Sequence, residues 1–358
     1  MTRAAEARIK LSALQSNLQR VKDLAPQSRV MAIIKANGYG HGMLRVAHSL
    51  ASADAFGVAC IEEALSLRDA GVTLPILLLE GFFDVSELEL TSRHELAIVV
   101  HQTFQVDMLE KTPLSNPVHV WLKIDTGMHR LGFAPRQVQQ VYQRLQTCRN
   151  VAQPLRLMTH FAESDDRSAV ITRSQFDSFN DTVAKIQGER SIANSAAIIT
   201  FPQSHVDWVR PGIMLYGISP FNDSIGSDEG LQNVMTLTSR LIAISHFKKG
   251  DRIGYGGEWT CPENMPVGVI AIGYGDGYPW GVSSGTPVLI NGQRIPIIGR
   301  VSMDMITVDL RNLPTARTGD VVTLWGDGLP VEEIARRTGT IPYELVCRVT
   351  QRVRFTEC

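Results

Sequence analysis

Cysteines in this sequence are too few and too widely spaced for a disulfide framework or a zinc site. The five residues, Cys60, Cys148, Cys261, Cys347 and Cys358, are odd in number and form no Cys-x-x-Cys pair. This usage is typical of a reducing compartment, and we expect a cytoplasmic protein. The nine histidines show no metal-ligand spacing, so we expect no metal site.

The sequence also lacks long apolar runs and an excess of one charge. No apolar run approaches the roughly 20 residues of a membrane-spanning helix, and the N-terminal residues lack the apolar stretch of a signal peptide. The net charge of −1 gives no long-range attraction to nucleic acid or acidic lipid. We therefore expect no nucleic-acid partner and no membrane partner.

The first two-thirds of the chain alternates short apolar runs with amphipathic stretches. Near-continuous apolar runs are typical of strands buried on both faces. The eight runs are Val30–Ile34, Ala55–Ala59, Ile76–Leu79, Leu96–Val100, Val118–Leu122, Leu155–Met158, Ser191–Ala193 and Val209–Leu215. Helical patterns lie between them, at Leu11–Leu18, Glu62–Ala70, Gln137–Leu145 and Ser174–Ile186. The alternation favours an α/β fold with a (β/α)₈ TIM barrel, and a doubly wound open sheet is the alternative.

The pattern changes near residue 230. Residues 223–230 are polar and rich in Gly and Ser, like a linker. β-branched runs separated by turn signals follow, and Asn291-Gly292 between two of them is a strong hairpin signal. We therefore predict a barrel over residues 10–230 and a mainly β domain over residues 231–358, which the first few N-terminal residues could join.

Lys35 follows the first apolar run, in the segment Lys35-Ala-Asn-Gly-Tyr-Gly-His-Gly42. Barrel enzymes have their active sites at the carboxyl ends of the strands, where a lysine amine can attack an aldehyde. The glycines that follow allow close approach of the backbone to a ligand. The alternative is a lysine that extends into solvent before an ordinary glycine-rich loop.

Other polar groups stand at later strand ends. Lys123 and Arg130 follow the fifth run, and His160 follows the sixth. Arg130 is suited to a bidentate contact with a carboxylate, and His160 could stack on a flat cofactor. A structural ion-pair network and a structural histidine are the alternatives.

The seventh and eighth runs end in a segment that could bind phosphate. Barrels commonly bind phosphate at the loops after these two strands, through backbone N–H groups. Ser195, Gly212 and Ile213 fit that use, and the permanently charged Arg210 is adjacent. In the β domain, Gly254-Tyr-Gly-Gly257, Gly273-Tyr-Gly-Asp-Gly-Tyr278 and Ser302-Met-Asp-Met305 are read either as a site or as tight turns.

Together these segments resemble the pyridoxal 5′-phosphate (PLP)-dependent alanine racemases over essentially the whole chain. The most specific pieces occur in the family's order: Lys35–Gly42, Lys123–Gly132, Arg210-Pro-Gly212, Gly254–Gly257, Gly273–Gly277 and Gly299-Arg-Val-Ser-Met-Asp304. The resemblance implies a barrel followed by a β domain, PLP as cofactor and alanine as substrate. It also implies a head-to-tail homodimer with shared active sites.

The resemblance further implies individual roles. Lys35 and Tyr255 would be the catalytic bases, Lys35 for the D isomer and Tyr255, from the partner subunit, for the L isomer. Lys35 would also bind PLP covalently. The other cofactor-binding positions would be Tyr39, His160, Ser195, Arg210, Gly212, Ile213 and Tyr343, and the substrate-side positions Arg130, Tyr274 and Met303. Lys123 matches a lysine that can be carbamylated.

One departure from the family is visible. Some members have a histidine, bonded to the arginine that faces the pyridine ring, where this chain has Ser191. The support for Arg210 is therefore open at this point.

Three other functions share parts of this pattern. A PLP-dependent decarboxylase would be expected to have a Cys-Asp pair in the β domain, and no cysteine here precedes an aspartate. A non-enzymatic PLP carrier would be a barrel alone. A broader-specificity amino-acid racemase is the remaining alternative, although such enzymes are usually exported and no signal segment is visible.

Overall fold

The structure, a computed structural model, describes residues 4–168 and 170–358. It consists of two compact units. The barrel unit is Gln15–Leu215, and the β unit joins the described residues up to Leu14 with Tyr216–Cys358. Among the described residues, no helix is both long enough and apolar enough to cross a membrane.

The first element among the described residues is strand β1 (Glu6–Ile9), which belongs to the β unit, and helix α1 (Leu11–Leu24) follows it. Eight parallel strands then close into a barrel: β2 (Arg29–Ile33), β3 (Ala55–Val58), β4 (Ile76–Leu78), β5 (Ala97–Val100), β6 (Val118–Lys123), β7 (Val151–Met158), β8 (Arg190–Asn194) and β9 (Trp208–Arg210). β9 pairs with β2, with Val209 opposite Val30. The predicted (β/α)₈ barrel is confirmed, and the open-sheet alternative is excluded by this closure.

Helical segments alternate with these strands: α2 (Lys35–Tyr39), α3 (Met43–Ser49), α4 (Ile61–Asp69), α5 (Val85–Arg93), α6 (Thr103–Lys111), α7 (Pro135–Thr147), α8 (Val170–Val183) and α9 (Ser195–Thr200). Gly71, just beyond α4, has φ of 80°, the left-handed conformation that commonly ends a helix. The eighth apolar run was predicted as one strand through Leu215, which is wrong in extent. β9 ends at Arg210, and a 3-10 helix occupies Ile213–Tyr216.

The barrel interior explains the apolar strands. Side chains from the strands fill it as one buried cluster: Met31, Ile33, Ala55, Leu77, Val99, Trp121, Met158 and Trp208. The rings of Trp121 and Trp208 meet edge to face, with centroids 6.0 Å apart. The barrel is therefore a packed core, and its chemistry has to lie at the strand ends.

Besides β1, the main sheet of the β unit contains β10 (Met235–Phe247), β13 (Met265–Ile270), β14 (Pro287–Ile290), β15 (Gln293–Ile298), β16 (Ile306–Asp309), β17 (Val321–Trp325) and β18 (Arg354–Glu357). The strand order in this sheet is β13-β16-β15-β14-β17-β10-β1-β18, and β13 also pairs with β10. A separate two-stranded ribbon pairs β11 (Arg252–Ile253) with β12 (Trp259–Thr260).

The predicted hairpin at Asn291-Gly292 is present. Ile290 pairs with Gln293, which leaves Asn291 and Gly292 as a two-residue turn with φ of 50° and 76°. Two helices accompany the sheet, α10 (Val331–Thr338) and α11 (Pro342–Cys347), and α11 was not predicted from the sequence. The segment expected to be a linker contains a 3-10 helix (Gly226–Glu229), and the buried Glu332 accepts hydrogen bonds from Ser219 N and Gly226 N.

Candidate functional site

Parallel strands bring the sequence-predicted barrel residues to one end of the barrel. Lys35 lies two residues beyond the end of β2, while Lys123 and Arg210 are the last residues of β6 and β9. His160 follows β7, and Ser195 follows β8. Because all eight strands point the same way, these side chains share the carboxyl-terminal face, where barrel enzymes have their active sites.

The short element α2, which begins at Lys35, is a left-handed turn and not a right-handed helix. Ala36, Asn37 and Tyr39, none of them glycine, have φ of 52°, 53° and 49°. A left-handed conformation costs a residue with a side chain about 1–2 kcal/mol. Hydrogen bonds hold the turn: Asn37 Oδ1 accepts from Met43 N at 2.9 Å, and Ala36 N donates to Glu63 Oε1 at 2.7 Å. Strained backbone of this kind is concentrated at ligand sites.

The turn brings Tyr39 to the backbone of Gly212. A Cβ atom added at Gly212 would lie 2.6 Å from Tyr39 Oη, so no larger residue fits there without a shift. Ser195 Oγ accepts from Gly212 N at 2.8 Å, and it joins the first turn of α9 to the segment after β9. Three of the predicted phosphate-binding residues, Tyr39, Ser195 and Gly212, therefore meet here. Ile213 is next along the chain and begins the 3-10 helix.

Arg210 is a buried cation whose hydrogen-bond partners are neutral. Its side chain is 4% exposed. Nη1 donates to Ser191 Oγ at 2.6 Å, and Nη2 donates to Thr159 O at 2.6 Å and to Ile192 O at 3.3 Å. Burial lowers the pKa of Arg210 to about 10, so the guanidinium still retains its proton at neutral pH.

Ser191 supports Arg210 at the position where some family members have a histidine. Its hydroxyl donates to Trp208 O at 3.0 Å, so its lone pairs face Arg210 as a fixed acceptor. The serine thus supports the guanidinium without adding a charge or a titratable group. The neutral support of Arg210 could not be read from the sequence, since it depends on a contact between β8 and β9.

His160 lies beside Arg210, with Nδ1 3.4 Å from Nη2. Loss of hydration, and then the charges of Arg210 and Lys123, hold the pKa of His160 well below its usual range. The imidazole is therefore neutral at neutral pH. A neutral ring at this strand end can pack against a flat ligand without adding to the positive charge.

Lys123 is buried among other cations. Burial, followed by the charges of Arg210, Arg130 and Lys35, lowers the pKa of Lys123 to about 8, and Asp125 opposes the shift. The Asp125 carboxylate already accepts from Gly127 N at 3.0 Å. Buried cations in excess of nearby anions are costly unless paired, so this end of the barrel favours an anionic ligand.

The β unit presents the remaining predicted residues. Tyr255 is 71% exposed and lies in the turn between β11 and β12. Arg252, which the sequence analysis missed, donates from Nε to Gly257 O at 3.1 Å and from Nη2 to Gly256 O at 2.6 Å, which fixes that turn. Tyr343 lies in the first turn of α11.

Tyr274 and Met303 are brought together by backbone hydrogen bonds. Tyr274 N donates to Ser302 O at 3.1 Å, and Gly275 N donates to Met303 O at 2.9 Å. Both side chains are substantially exposed. The segments 273–278 and 302–305 are therefore tight turns that also present two exposed side chains near each other. The interpretation as tight turns and the interpretation as part of a site do not exclude each other.

Some other chemistries find no support in the part of the chain described. No group of three or more His, Cys, Asp or Glu side chains that could hold a metal occurs among residues 4–168 and 170–358. The five cysteines are free thiols.

Comparison with known proteins identifies the family. Residues 9–220 match the family model described as alanine racemase, N-terminal domain, and residues 234–356 match the model described as alanine racemase, C-terminal domain. The alanine racemase of Nitrosococcus oceani is 54% identical over 351 residues, 98% of each chain. That of Coxiella burnetii is 51% identical over 358 residues, 99% of this chain and 98% of the relative.

Solved structures agree with the sequence comparison. The biosynthetic alanine racemase of Pseudomonas aeruginosa superimposes with a TM-score of 0.97 at 43% identity over 100% of both chains. The alanine racemase of Bartonella henselae with covalently bound pyridoxal phosphate superimposes with a TM-score of 0.90 at 28% identity over 99% of both chains. Because both family models match and a full-length relative is 54% identical, this chain belongs to the alanine racemase family.

Proposed function

We propose that this protein is an alanine racemase that interconverts L- and D-alanine with PLP as its cofactor. The observation that supports this best is the arrangement at the strand ends of the barrel. There the left-handed turn after Lys35 meets the Ser195–Gly212 hydrogen bond, next to a buried, permanently charged Arg210.

The residues present fit PLP. The backbone of Gly212 leaves room that a Cβ atom would fill, next to Tyr39 Oη, and small backbone-lined spaces of this kind suit a phosphate. We propose that Tyr39, Ser195, Gly212, Ile213 and Tyr343 bind the phosphate, and that the amine of Lys35 binds the aldehyde. The charges of Arg210, Arg130 and Lys35 around the buried Lys123 support a ligand with negative charge.

PLP, when bound, supplies the electron sink that makes the Cα proton of an amino acid removable. The task left to the protein is to move a proton on each face of the substrate. We propose that Lys35 takes the proton from D-alanine and that Tyr255 takes it from L-alanine. In each direction the residue that does not remove the proton donates one to the opposite face. Two fixed bases invert the carbon without turning the substrate over.

Arg210 would face the pyridine nitrogen. With its pKa at about 10, the guanidinium donates a hydrogen bond but does not give up its proton at neutral pH. His160, held neutral, would pack on the ring. Both residues would therefore leave the ring nitrogen unprotonated, which limits side reactions such as transamination.

We propose that Arg130, Tyr274 and Met303 form the substrate side of the site. Lys123 lies in the environment of Arg130. Its lowered pKa leaves a usable fraction of free amine near neutral pH, which can add CO₂ and release a proton to give a carbamate. The change would replace a cation with an anion beside Arg130 and strengthen its orientation. The mass of Lys123-containing peptides, measured in native buffer, tests for one added CO₂.

The site would be completed by a second copy of the chain, in a head-to-tail homodimer. Support comes from the β unit, where several large apolar side chains are exposed to solvent: Tyr255, Tyr274, Trp280, Met303 and Ile341. Of these, Tyr274 and Met303 lie in turns that are hydrogen-bonded to each other, and adjoining exposed apolar groups suit a surface that a partner covers. The cysteine usage further supports a cytoplasmic location.

The test of the proposed function is the loss of optical activity of L-alanine, with and without added PLP. We expect racemisation that requires PLP, and no comparable reaction with serine or lysine. Borohydride treatment should then abolish activity, and peptide mapping should find the reduced cofactor on Lys35. Equal rates on all three amino acids would favour a broader-specificity racemase. Release of CO₂ would favour a decarboxylase, and PLP binding without turnover would favour a carrier.

A further inference from the structure

The turn that presents Tyr274 and the turn that presents Met303 are joined by backbone hydrogen bonds, and side-chain interactions join them as well. Gly273 shows how close the turns are, because a Cβ atom there would lie 2.2 Å from Ser302 O. The amides of Tyr274 and Gly275 both donate to the neighbouring turn. A shift of either turn would therefore move both side chains.

The shape of the first turn depends on a buried carboxylate. Asp276 is fully buried, and its Oδ2 accepts from Gly273 N at 3.0 Å. A buried carboxylate is costly unless it is hydrogen-bonded and paired with a cation. The second turn closes on itself through Ser302, whose Oγ accepts from Met305 N at 3.0 Å, and Asp304 lies within that turn.

Arg352 spans both turns. Its Nε lies 3.5 Å from Asp276 Oδ1 of the first turn, and its Nη2 is hydrogen-bonded to Asp304 Oδ1 of the second. The guanidinium lies directly on Gly275, where an added Cβ atom would be 2.3 Å from Nη1. Thr350 holds this segment in place, since its N donates to Asp276 O and its Oγ1 donates to Gly275 O, both at 3.1 Å.

We propose that Arg352 is a positioning residue for the substrate side of the site. It fixes the distance between Tyr274 and Met303 by bridging the carboxylates of their two turns. This inference rests on the proposed function, in which those two side chains face the substrate. A small displacement of groups that contact the substrate can cost large factors in rate, and where those groups hold the substrate the loss shows in KM.

The matched control is Arg311. It too is an arginine of the β unit with two carboxylate partners, Asp309 at 2.7 Å and Glu263 at 2.5 Å, on the far side of β16 from the Ser302–Met305 turn along the chain. Arg311→Ala removes the same kind of interaction from a place with no assigned role. Arg352→Ala should lower the melting temperature more than Arg311→Ala does, because it leaves the fully buried Asp276 without its cation.

Kinetics of the PLP-loaded variants test the proposal in both directions of the reaction. For Arg352→Ala we expect the KM for alanine to rise about tenfold, while kcat changes much less. Arg352→Lys, which cannot span both carboxylates, should recover part of the loss. Gly275→Ala, which pushes the guanidinium away, should raise KM in the same way. Arg311→Ala should leave KM at the wild-type value.

Hydrogen exchange of the Tyr274 and Gly275 amides supplies a readout that does not depend on turnover. Arg352→Ala should speed their exchange, and Arg311→Ala should not.

A folded Arg352→Ala with wild-type KM and wild-type exchange overturns the inference, as does an equal rise in KM for Arg311→Ala. If Arg352→Ala does not fold, Asp304→Asn removes one arm of the bridge and must show the same two effects. A wild-type protein that does not racemise alanine refutes the proposed function instead, and leaves the exchange result as the test of the bridge.

Discussion

Arg210 Nη1 donates a hydrogen bond to Ser191 Oγ over 2.6 Å, in the buried interior between β8 and β9. The hydroxyl in turn donates to Trp208 O, so its orientation is fixed. This is a neutral support for a buried charge, in a position where some relatives have a histidine. Ser191 itself therefore adds no pH dependence to the environment of Arg210.

Ser191→Ala should therefore destabilise the cofactor-free protein. It leaves one face of a buried guanidinium without an acceptor, which costs about 1.5–3 kcal/mol for a hydrogen bond to a charged group. Urea unfolding of the apoprotein measures the loss. Ser204→Ala is the control, because its equally buried hydroxyl bonds a neutral carbonyl, Phe201 O, at 2.8 Å. Equal losses for the two variants would contradict a specific role in charge support.

The environment of Lys123 predicts a pH dependence of stability. Its pKa falls from 10.5 to about 8 on folding, so between these values the unfolded chain binds more protons than the folded one. Stability must then rise as pH increases from about 8 to about 10.5, and the cost of the buried charge is complete below pH 8. At neutral pH this cost is up to about 3 kcal/mol.

Lys123→Met should abolish that rise and stabilise the apoprotein at neutral pH. The measurement is the free energy of unfolding across this pH range, in CO₂-free buffer so that the amine stays unmodified. Lys185→Met, at an exposed lysine, should leave the pH profile unchanged. A wild-type profile in Lys123→Met would show that another group is responsible.

Gly212 and Tyr39 should be energetically coupled. Gly212→Ala places a methyl group 2.6 Å from Tyr39 Oη, and overpacking of this kind costs about 1–3 kcal/mol. Removing the hydroxyl with Tyr39→Phe makes room for the methyl group. The double variant should therefore be more stable than the sum of the single effects predicts, by about 1 kcal/mol or more. Additive losses in urea unfolding would mean that the two residues do not share the space.

Mixing two inactive variants tests whether the sites are shared between subunits. Lys35→Ala and Tyr255→Phe should each be inactive in racemisation. If each site combines Lys35 of one chain with the partner's Tyr255, a mixed dimer contains one intact site. Co-refolding should then restore roughly a quarter of wild-type activity, since about half of the dimers are mixed and half of their sites are intact. No recovery, despite mixed dimers by native mass spectrometry, would place both residues in one chain.

Much of the barrel could be predicted from the sequence because its strands are buried on both faces and therefore read as apolar runs. The weakest prediction was the eighth run, where the apolar residues after Arg210 pack as a 3-10 helix instead of continuing the strand. Helix α11 was missed because six residues are too short for a helical period to be visible.

The predicted site residues of the barrel could be located from strand ends, since parallel topology fixes where those ends meet. What holds them could not. The left-handed φ of Ala36 and Asn37 has no glycine to signal it, and Glu63 reaches Ala36 N from a helix with no motif of its own. The role of Arg352 likewise depends on the approach of three turns, which are distant in sequence.

The most direct test of the central claim, two bases on opposite faces, is exchange of the Cα proton with solvent deuterium in Tyr255→Phe. Exchange from L-alanine should fall by orders of magnitude, while exchange from D-alanine, which relies on Lys35, should be largely retained. The measurement is mass spectrometry of each isomer incubated with the PLP-loaded variant in D₂O. Equal loss of exchange from both isomers would rule out separate bases on the two faces.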